Sequence, residues 1–236
     1  MIWMIFPLMT YLLINIKIIR KIVLNIILRI YLQLLNSGQF FIFKETISLK
    51  KLMIIQKGYS GYTMRIILFF DQIQSGTGGK EGSYVELAVE KGGVASYMMF
   101  EEYIKEIGGT VLATTYCSDS YFEKNEETVL TKMEGLINKV KADILLCGPC
   151  FNYHGYAKMS AILADYIQKN TECKPVVVCS EENSDVIEKF KDRIVMIKMP
   201  KKGGVGLRES LKNMAKVIEI VYNKEDLKKV ENYIYE

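Results

Sequence analysis

The residues best suited to chemistry lie close together, in and just after the stretch Asp143 to Asn152. This stretch contains the turn Cys147-Gly-Pro-Cys150, and the only histidine of the chain, His154, follows two residues later. Two cysteines at this spacing can form a dithiol/disulfide couple, and a helix beginning beside them would favour the thiolate and lower the thiol pKa. Two small apolar thiols packed in a turn would have the same spacing. The turn therefore allows a redox interpretation and a packing interpretation.

The candidate catalytic residues are Cys147, Cys150 and His154. The histidine lies in a predicted loop, where an acid or base would be useful, although an isolated histidine is more often a structural hydrogen-bonding residue. A zinc site would need a fourth ligand, and Cys117 would have to supply it from elsewhere in the chain. We therefore predict no metal site.

The Cys-Gly-Pro-Cys turn follows a predicted strand, Asp143 to Leu146, and precedes a helical pattern from Tyr156 to Gln168. The same alternation of apolar strands and amphipathic helices recurs from Met64 onward. It predicts an α/β fold with a doubly wound, mostly parallel five-stranded sheet, Rossmann- or flavodoxin-like, of undetermined strand order. The other predicted strands are Met64–Phe70, Thr110–Tyr116, Lys174–Cys179 and Ile194–Met199, and the other predicted helices are Val94–Ile107, Glu126–Val140, Asp185–Asp192 and Leu207–Tyr222.

Residues directly after parallel strands meet at one edge of the sheet, where open α/β folds bind ligands. This rule predicts a rim that contacts a substrate or partner. A glycine-rich loop at Gly76 to Gly79 lacks the spacing of a dinucleotide-binding fingerprint, so we interpret it as an ordinary loop. The predicted rim residues are Asp71, Gln72, Cys117, Asp119, Asn152, Tyr153, Glu181, Glu182 and Asn183.

The first 63 residues differ from the rest of the chain. They are largely apolar and carry eight Lys or Arg residues against one acidic residue, Glu45. A transmembrane helix needs about 18–20 apolar residues, and the run from Met1 reaches that length only by including Lys17. The amino acids are those of AT-rich codons and show little amphipathic order. We therefore expect an over-extended start, with the protein beginning at Met64, and the alternative is a membrane anchor. The predicted α/β domain is 64–236.

Composition excludes some partners. The net charge is +4, but the part after residue 63 has a slight acidic excess, which gives no reason to expect nucleic acid. Five cysteines, an odd number without a regular framework, suit a reducing compartment. We therefore expect a cytoplasmic protein, with membrane contact only if residues 1–63 are part of it.

Several rim segments together resemble one family, the selenoprotein B subunit of the glycine/sarcosine/betaine reductase complex of anaerobic, amino-acid-fermenting bacteria. The resemblance covers about 64–222 and depends on the order and spacing of the whole set. The segments are Phe69-Phe-Asp-Gln-Ile73, Gly109-Thr-Val-Leu-Ala-Thr114, Cys117-Ser-Asp-Ser-Tyr-Phe122, Gly148-Pro-Cys-Phe-Asn152 and Glu181-Glu-Asn183.

The resemblance implies an oxidoreductase subunit that takes part in reductive deamination of an amino acid or N-methylated glycine. In the family a partner component B subunit carries a pyruvoyl group, a small selenoprotein accepts the product group, and thioredoxin supplies reducing equivalents. The family's selenocysteine belongs to a second half, and this chain ends at Glu236 without it. Cys147 and Cys150 stand where the family usually has small residues.

We therefore expect the amino-terminal domain of such a subunit, whether a fragment, a truncated reading or a free-standing paralogue, with no cofactor of its own. It is not expected to be active alone. The alternative is a stand-alone α/β binding or thiol-redox module that uses Cys147 and Cys150.

Overall fold

The computed structural model describes residues 63–78 and 83–236, and 64–236 forms one compact unit. The hypotheses about the apolar basic extension lie outside the described residues. Within the described part of the chain, no helix is both long and apolar enough to cross a bilayer.

The described residues form one six-stranded sheet flanked by helices, which confirms the predicted α/β class. All neighbouring strands are parallel except β2, which is antiparallel to β3. The strands are β1 (Met64–Phe70), β2 (Ala88–Lys91), β3 (Gly109–Tyr116), β4 (Ile144–Cys147), β5 (Lys174–Cys179) and β6 (Val195–Lys198). The α-helices are α1 (Glu101–Glu106), α2 (Asp119–Lys124), α3 (Glu126–Val140), α4 (His154–Asn170), α5 (Ser184–Phe190) and α6 (Leu207–Asn223), with 3-10 helices at Ala95–Met99, Glu181–Asn183 and Leu227–Tyr233.

The predicted count of five strands is wrong by one, because β2 was missed. This strand has four residues, of which Val89, Glu90 and Lys91 are exposed. It lies at the edge of the sheet and pairs only with β3. An edge strand open to solvent needs no apolar run. Its sequence therefore lacks the continuous apolar run by which the other strands were predicted.

The helices also differ from the prediction. The pattern predicted as one helix over 94–107 is divided at Phe100, whose φ of −132° ends the 3-10 helix before α1 begins. The short helix α2 was missed, and its start at Asp119 is capped by the Ser118 hydroxyl, which accepts from the Tyr121 N–H at 3.0 Å. Helix α4 begins at His154, two residues before the predicted start.

The order of the strands is β2-β3-β1-β4-β5-β6. The chain passes from β1 to β3 on one side and then crosses to β4 on the other side. The five parallel strands thus have the flavodoxin-like order, with the topological switch point between β1 and β4. Residues 66–70 of β1 are fully buried because helices cover both faces of the sheet.

Candidate functional site

A small pocket of about 170 Å³ opens where β1 and β4 end, at the switch point of the sheet. We call it the rim pocket. Ligand sites in open α/β folds lie at this position. The side chains that line it come from the loop after β1, the start of α2 and the start of α4: Asp71, Gln72, Ile73, Asp119, Tyr153, His154 and Tyr156.

Asp71 is the most buried carboxyl of the pocket, with 4% of its surface exposed. The backbone turns tightly after it, and Asp71 Oδ1 accepts from the Gln74 N–H at 2.6 Å. The pKa of Asp71 is raised to about 6, mainly by burial and to a smaller extent by the negative charge of Asp119, while the N–H groups of Gln74 and Ile73 and the charge of Lys202 act to lower it. This carboxyl can therefore hold or release a proton near neutral pH.

Asp119 is the second carboxyl of the pocket and lies at the start of α2. Its Oδ1 accepts from the Ser120 N–H at 2.8 Å. Its Oδ2 lies against Gly155, where a Cβ would come within 2.1 Å of the oxygen. A glycine in the first turn of α4 thus lets the carboxylate approach the helix closely, and the pocket gains two acidic groups from different strand ends.

The loop between β6 and α6 brings a positive charge to the pocket. The Lys202 N–H donates to Asn152 Oδ1 at 3.0 Å, and Lys202 Nζ donates to the Tyr153 hydroxyl at 2.6 Å. Nζ is 5.3 Å from the ring centroid, which places it beyond the hydroxyl rather than over the face of the ring. The sequence prediction missed Lys202. The rule that residues following parallel strands meet at one edge of the sheet predicted the other rim residues. Applied to the loop after β6, the same rule would have included Lys202.

The structure favours the packing interpretation of the two turn cysteines, because their pKa is raised and not lowered as the redox interpretation requires. Cys147 and Cys150 are free thiols with no exposed surface, and burial raises the pKa of both well above its ordinary value. Full burial can shift a pKa by roughly 3–5 units, whereas a helix N-terminus favours an anion by only about 0.3–1 kcal/mol. Helix α4 also begins four residues after Cys150, whose Sγ donates to the Ser160 hydroxyl at 3.4 Å.

We expect both thiols to resist alkylation while the protein is folded, because each is buried and protonated. Iodoacetamide labelling at pH 8, followed by mass spectrometry, should modify them only as fast as the protein unfolds. The variant Asn152→Cys is a matched control, since position 152 is exposed in the same loop. Native labelling of Cys150 as fast as that of the introduced thiol would contradict this prediction.

The remaining predicted site residues divide into two groups. His154 lines the pocket, is 56% exposed and lies 3.5 Å from Asp185 Oδ1 through its Nδ1. Asn183 is fully buried, and its Nδ2 donates to the Phe151 carbonyl at 2.7 Å, so it supports the turn after β4. Four others do not line the pocket: Cys117, which is buried, and Asn152, Glu181 and Glu182, which are exposed. The catalytic and binding roles themselves stay predictions.

A larger groove of about 290 Å³ continues from the rim pocket along α2 and α4, and we call it the outer groove. The two share Asp119, His154 and Gly155. Glu123 lines the outer groove but not the rim pocket. In the described part of the chain, no group of three or more His, Cys, Asp or Glu residues could hold a metal ion.

Comparisons with known proteins match the described part of the chain to one family. The profile of the family described as glycine/sarcosine/betaine reductase selenoprotein B matches residues 63–236. The chain is 29% identical over 123 residues to the glycine reductase complex component B subunit gamma of Symbiobacterium thermophilum, a match that covers 52% of this chain and 28% of the relative.

Two further relatives are similar over a longer part of the chain. One is the protein of the same name in Carboxydothermus hydrogenoformans, 26% identical, with 69% of this chain and 37% of the relative covered. The other is the sarcosine reductase complex component B subunit beta of Peptoclostridium acidaminophilum, 23% identical, with 66% of this chain and 35% of the relative covered. The matches thus span about a third of the length of these relatives. No solved structure matches the chain.

Proposed function

Because the chain belongs to the glycine/sarcosine/betaine reductase selenoprotein B family, we propose that it is a component B-like part of such a reductase complex. In this proposal it takes part in reductive deamination of glycine or an N-methylated glycine. The rim pocket forms part of the wall around the substrate nitrogen.

The observation that carries the proposal is the pair of carboxyl groups, Asp71 and Asp119, in a pocket at the switch point of the sheet. Amino acids carry a positive nitrogen at neutral pH, and a carboxylate is the strongest hydrogen-bonding partner that a protein offers to it. The relatives named above are subunits of glycine reductase and sarcosine reductase complexes, and glycine and sarcosine are small amines of this kind.

The residues of this chain would bind, orient and protonate rather than cleave the bond. Asp71 can hold a proton near neutral pH, and Tyr153 and Tyr156 line the same pocket. The selenocysteine of the family and the pyruvoyl group of a partner subunit would supply the bond-breaking chemistry. The five cysteines of this chain are all buried and do not fit the place of an exposed nucleophile.

The small selenoprotein and thioredoxin belong to the same proposal as later partners of the complex. The alternative of a stand-alone thiol-redox module has no observation in its favour, since Cys147 and Cys150 are fully buried.

The proposal is tested by mixing the full chain with the pyruvoyl-bearing component B subunit of a glycine, sarcosine or betaine reductase. We expect a complex in analytical ultracentrifugation, because the relatives are subunits of such assemblies. In the proposed complex the rim pocket faces the pyruvoyl-bearing subunit, so Asp119→Lys should weaken association at least about tenfold, because reversing a charge at that interface costs about 1.4 kcal/mol or more. Glu106→Lys is the matched control, because Glu106 ends α1 at the opposite edge of the sheet. Failure to bind any of the three subunits would contradict the proposal.

A further inference from the structure

We propose that the rim pocket selects amines by their N–H groups, and that this chain therefore serves glycine or sarcosine rather than a quaternary amine such as betaine. This inference rests on the proposed function. Family membership leaves the substrate open, since the family includes glycine, sarcosine and betaine reductases. The inference assigns a substrate preference to the rim pocket.

The argument begins with what the pocket offers to a cation. A primary or secondary ammonium donates N–H hydrogen bonds, and carboxylates accept them strongly. A quaternary ammonium has no N–H, and proteins recognise it by enclosing it between aromatic faces. Asp71 and Asp119 supply carboxyl oxygens from two separate strand ends, so the pocket is built for the first kind of cation.

The two aromatic residues of the pocket do not form such a cage. Tyr156 is 2% exposed, and its hydroxyl donates to the Phe69 carbonyl at 2.7 Å. Tyr153 packs against hydrophobic residues of both faces of the sheet, and its hydroxyl accepts from Lys202 Nζ. Both rings are thus used in packing, and the pocket does not place two open aromatic faces around a common point.

The charge of Asp71 supports the same conclusion. Its carboxyl is nine-tenths buried and has no ion-pair partner among the described residues. Burying a carboxylate without a counter-ion is costly, which explains why its pKa is raised to about 6. An ammonium ligand would supply the missing counter-ion and at the same time donate N–H groups to Oδ2 or Oδ1.

The size of the pocket and the position of Lys202 fit a small zwitterion. A volume of about 170 Å³ is well below that of pockets for drug-sized ligands, roughly 300–1,000 Å³. Lys202 Nζ lies at the Tyr153 hydroxyl, and its charge is felt by Asp71. A glycine whose nitrogen lies between the carboxyl groups would therefore have the positive charge of Lys202 on the same side of the sheet as its carboxylate.

The experiment is an NMR titration of the full chain with glycine, sarcosine, N,N-dimethylglycine and betaine. Affinity should fall as each N–H is replaced by a methyl group, with betaine at least about tenfold weaker than glycine, since one charged hydrogen bond contributes about 1.5–3 kcal/mol. Asp71→Asn and Asp119→Asn should each reduce this preference. Glu123→Gln, which changes a carboxyl of the outer groove only, should leave it unchanged.

Three outcomes would overturn the proposal. Betaine could bind as tightly as glycine, which would contradict the N–H selection but leave the subunit association of the proposed function standing. The order of affinities could survive both Asn variants, which would mean that methyl-group size rather than N–H recognition sets it. If none of the four amines binds, the amine-binding role of the pocket is wrong as well.

Discussion

Replacing Gly148 with alanine should lower the free energy of unfolding by about 3 kcal/mol or more. Gly148 has a φ of +121°, and a non-glycine residue in such a region costs about 1–3 kcal/mol. A Cβ would also lie 2.7 Å from the Val178 carbonyl oxygen and 3.0 Å from the Cys150 nitrogen. Both are backbone atoms. The Cys150 N–H donates to the Val178 carbonyl at 2.7 Å, and this hydrogen bond attaches the turn that follows β4 to the neighbouring strand β5. The turn that leads from β4 to Tyr153 of the rim pocket therefore has no room to adjust.

The matched control is Gly135→Ala. Gly135 lies inside α3, and a Cβ there would meet nothing within 4 Å. Alanine is the better helix former, so this variant should gain up to about 1 kcal/mol. Urea unfolding, monitored by circular dichroism, measures the free energy of unfolding of both variants. Equal stability of the two variants would mean that the turn after β4 is not packed as described.

Replacing Asp71 with asparagine should stabilise the protein by about 2 kcal/mol at pH 7. The folded-state pKa is raised from 3.8 to about 6, which corresponds to roughly 3 kcal/mol of penalty for the charged form. An asparagine oxygen can still accept from the Gln74 N–H, although the attraction to Lys202 is lost. A gain on removing a polar residue is typical of a residue kept for function.

The sign of the pH dependence follows from linkage. Between about pH 4 and pH 6 the folded state binds more protons at Asp71 than the unfolded state, so wild-type stability falls as the pH rises through this range. Above about pH 6 the penalty is complete, and below about pH 4 it is absent. The stabilising effect of Asp71→Asn should therefore be present at pH 7 and disappear near pH 4.

Asp143→Asn is the contrasting control. Asp143 accepts from the Arg65 side chain at 2.8 and 3.0 Å, and although partial burial raises its pKa, these hydrogen bonds and the charge of Arg65 lower it below the ordinary value. This variant should lose stability at pH 7. An Asp71→Asn protein less stable than wild type at pH 7 would contradict the account of a buried, uncompensated carboxyl.

The sequence was sufficient to predict which strand ends meet, but not how the side chains that follow each strand are oriented. Apolar runs identified the five parallel strands, and the rule for strand ends brought Asp71, Asp119, Tyr153 and His154 to one place. The rule cannot tell whether a residue at a strand end points into the pocket or the core, because both positions follow the same apolar run. For this reason the sequence left open whether Cys147 and Cys150 are reactive thiols or packed ones.

Two other features depend on contacts far apart in sequence. Lys202 reaches Tyr153 only because the loop after β6 folds back across β5 to the end of β4, and strand order could not be read from the sequence. The contact between Asp119 and Gly155 depends on how α2 packs beside α4. A glycine in the first turn of a helix carries no signal that it faces a carboxylate from another strand.

The most direct test of an amine site at Asp71 is to follow the carboxyl ¹³C resonance of Asp71 through a pH titration, assigned with Asp71→Asn, without and with saturating glycine. The free protein should give a pKa of about 6, because the carboxyl is buried without a counter-ion. Bound glycine should lower that pKa, since its ammonium stabilises the carboxylate. A pKa near 3.8 in the free protein, or one that glycine does not change, would contradict the assignment of this pocket to the substrate amine.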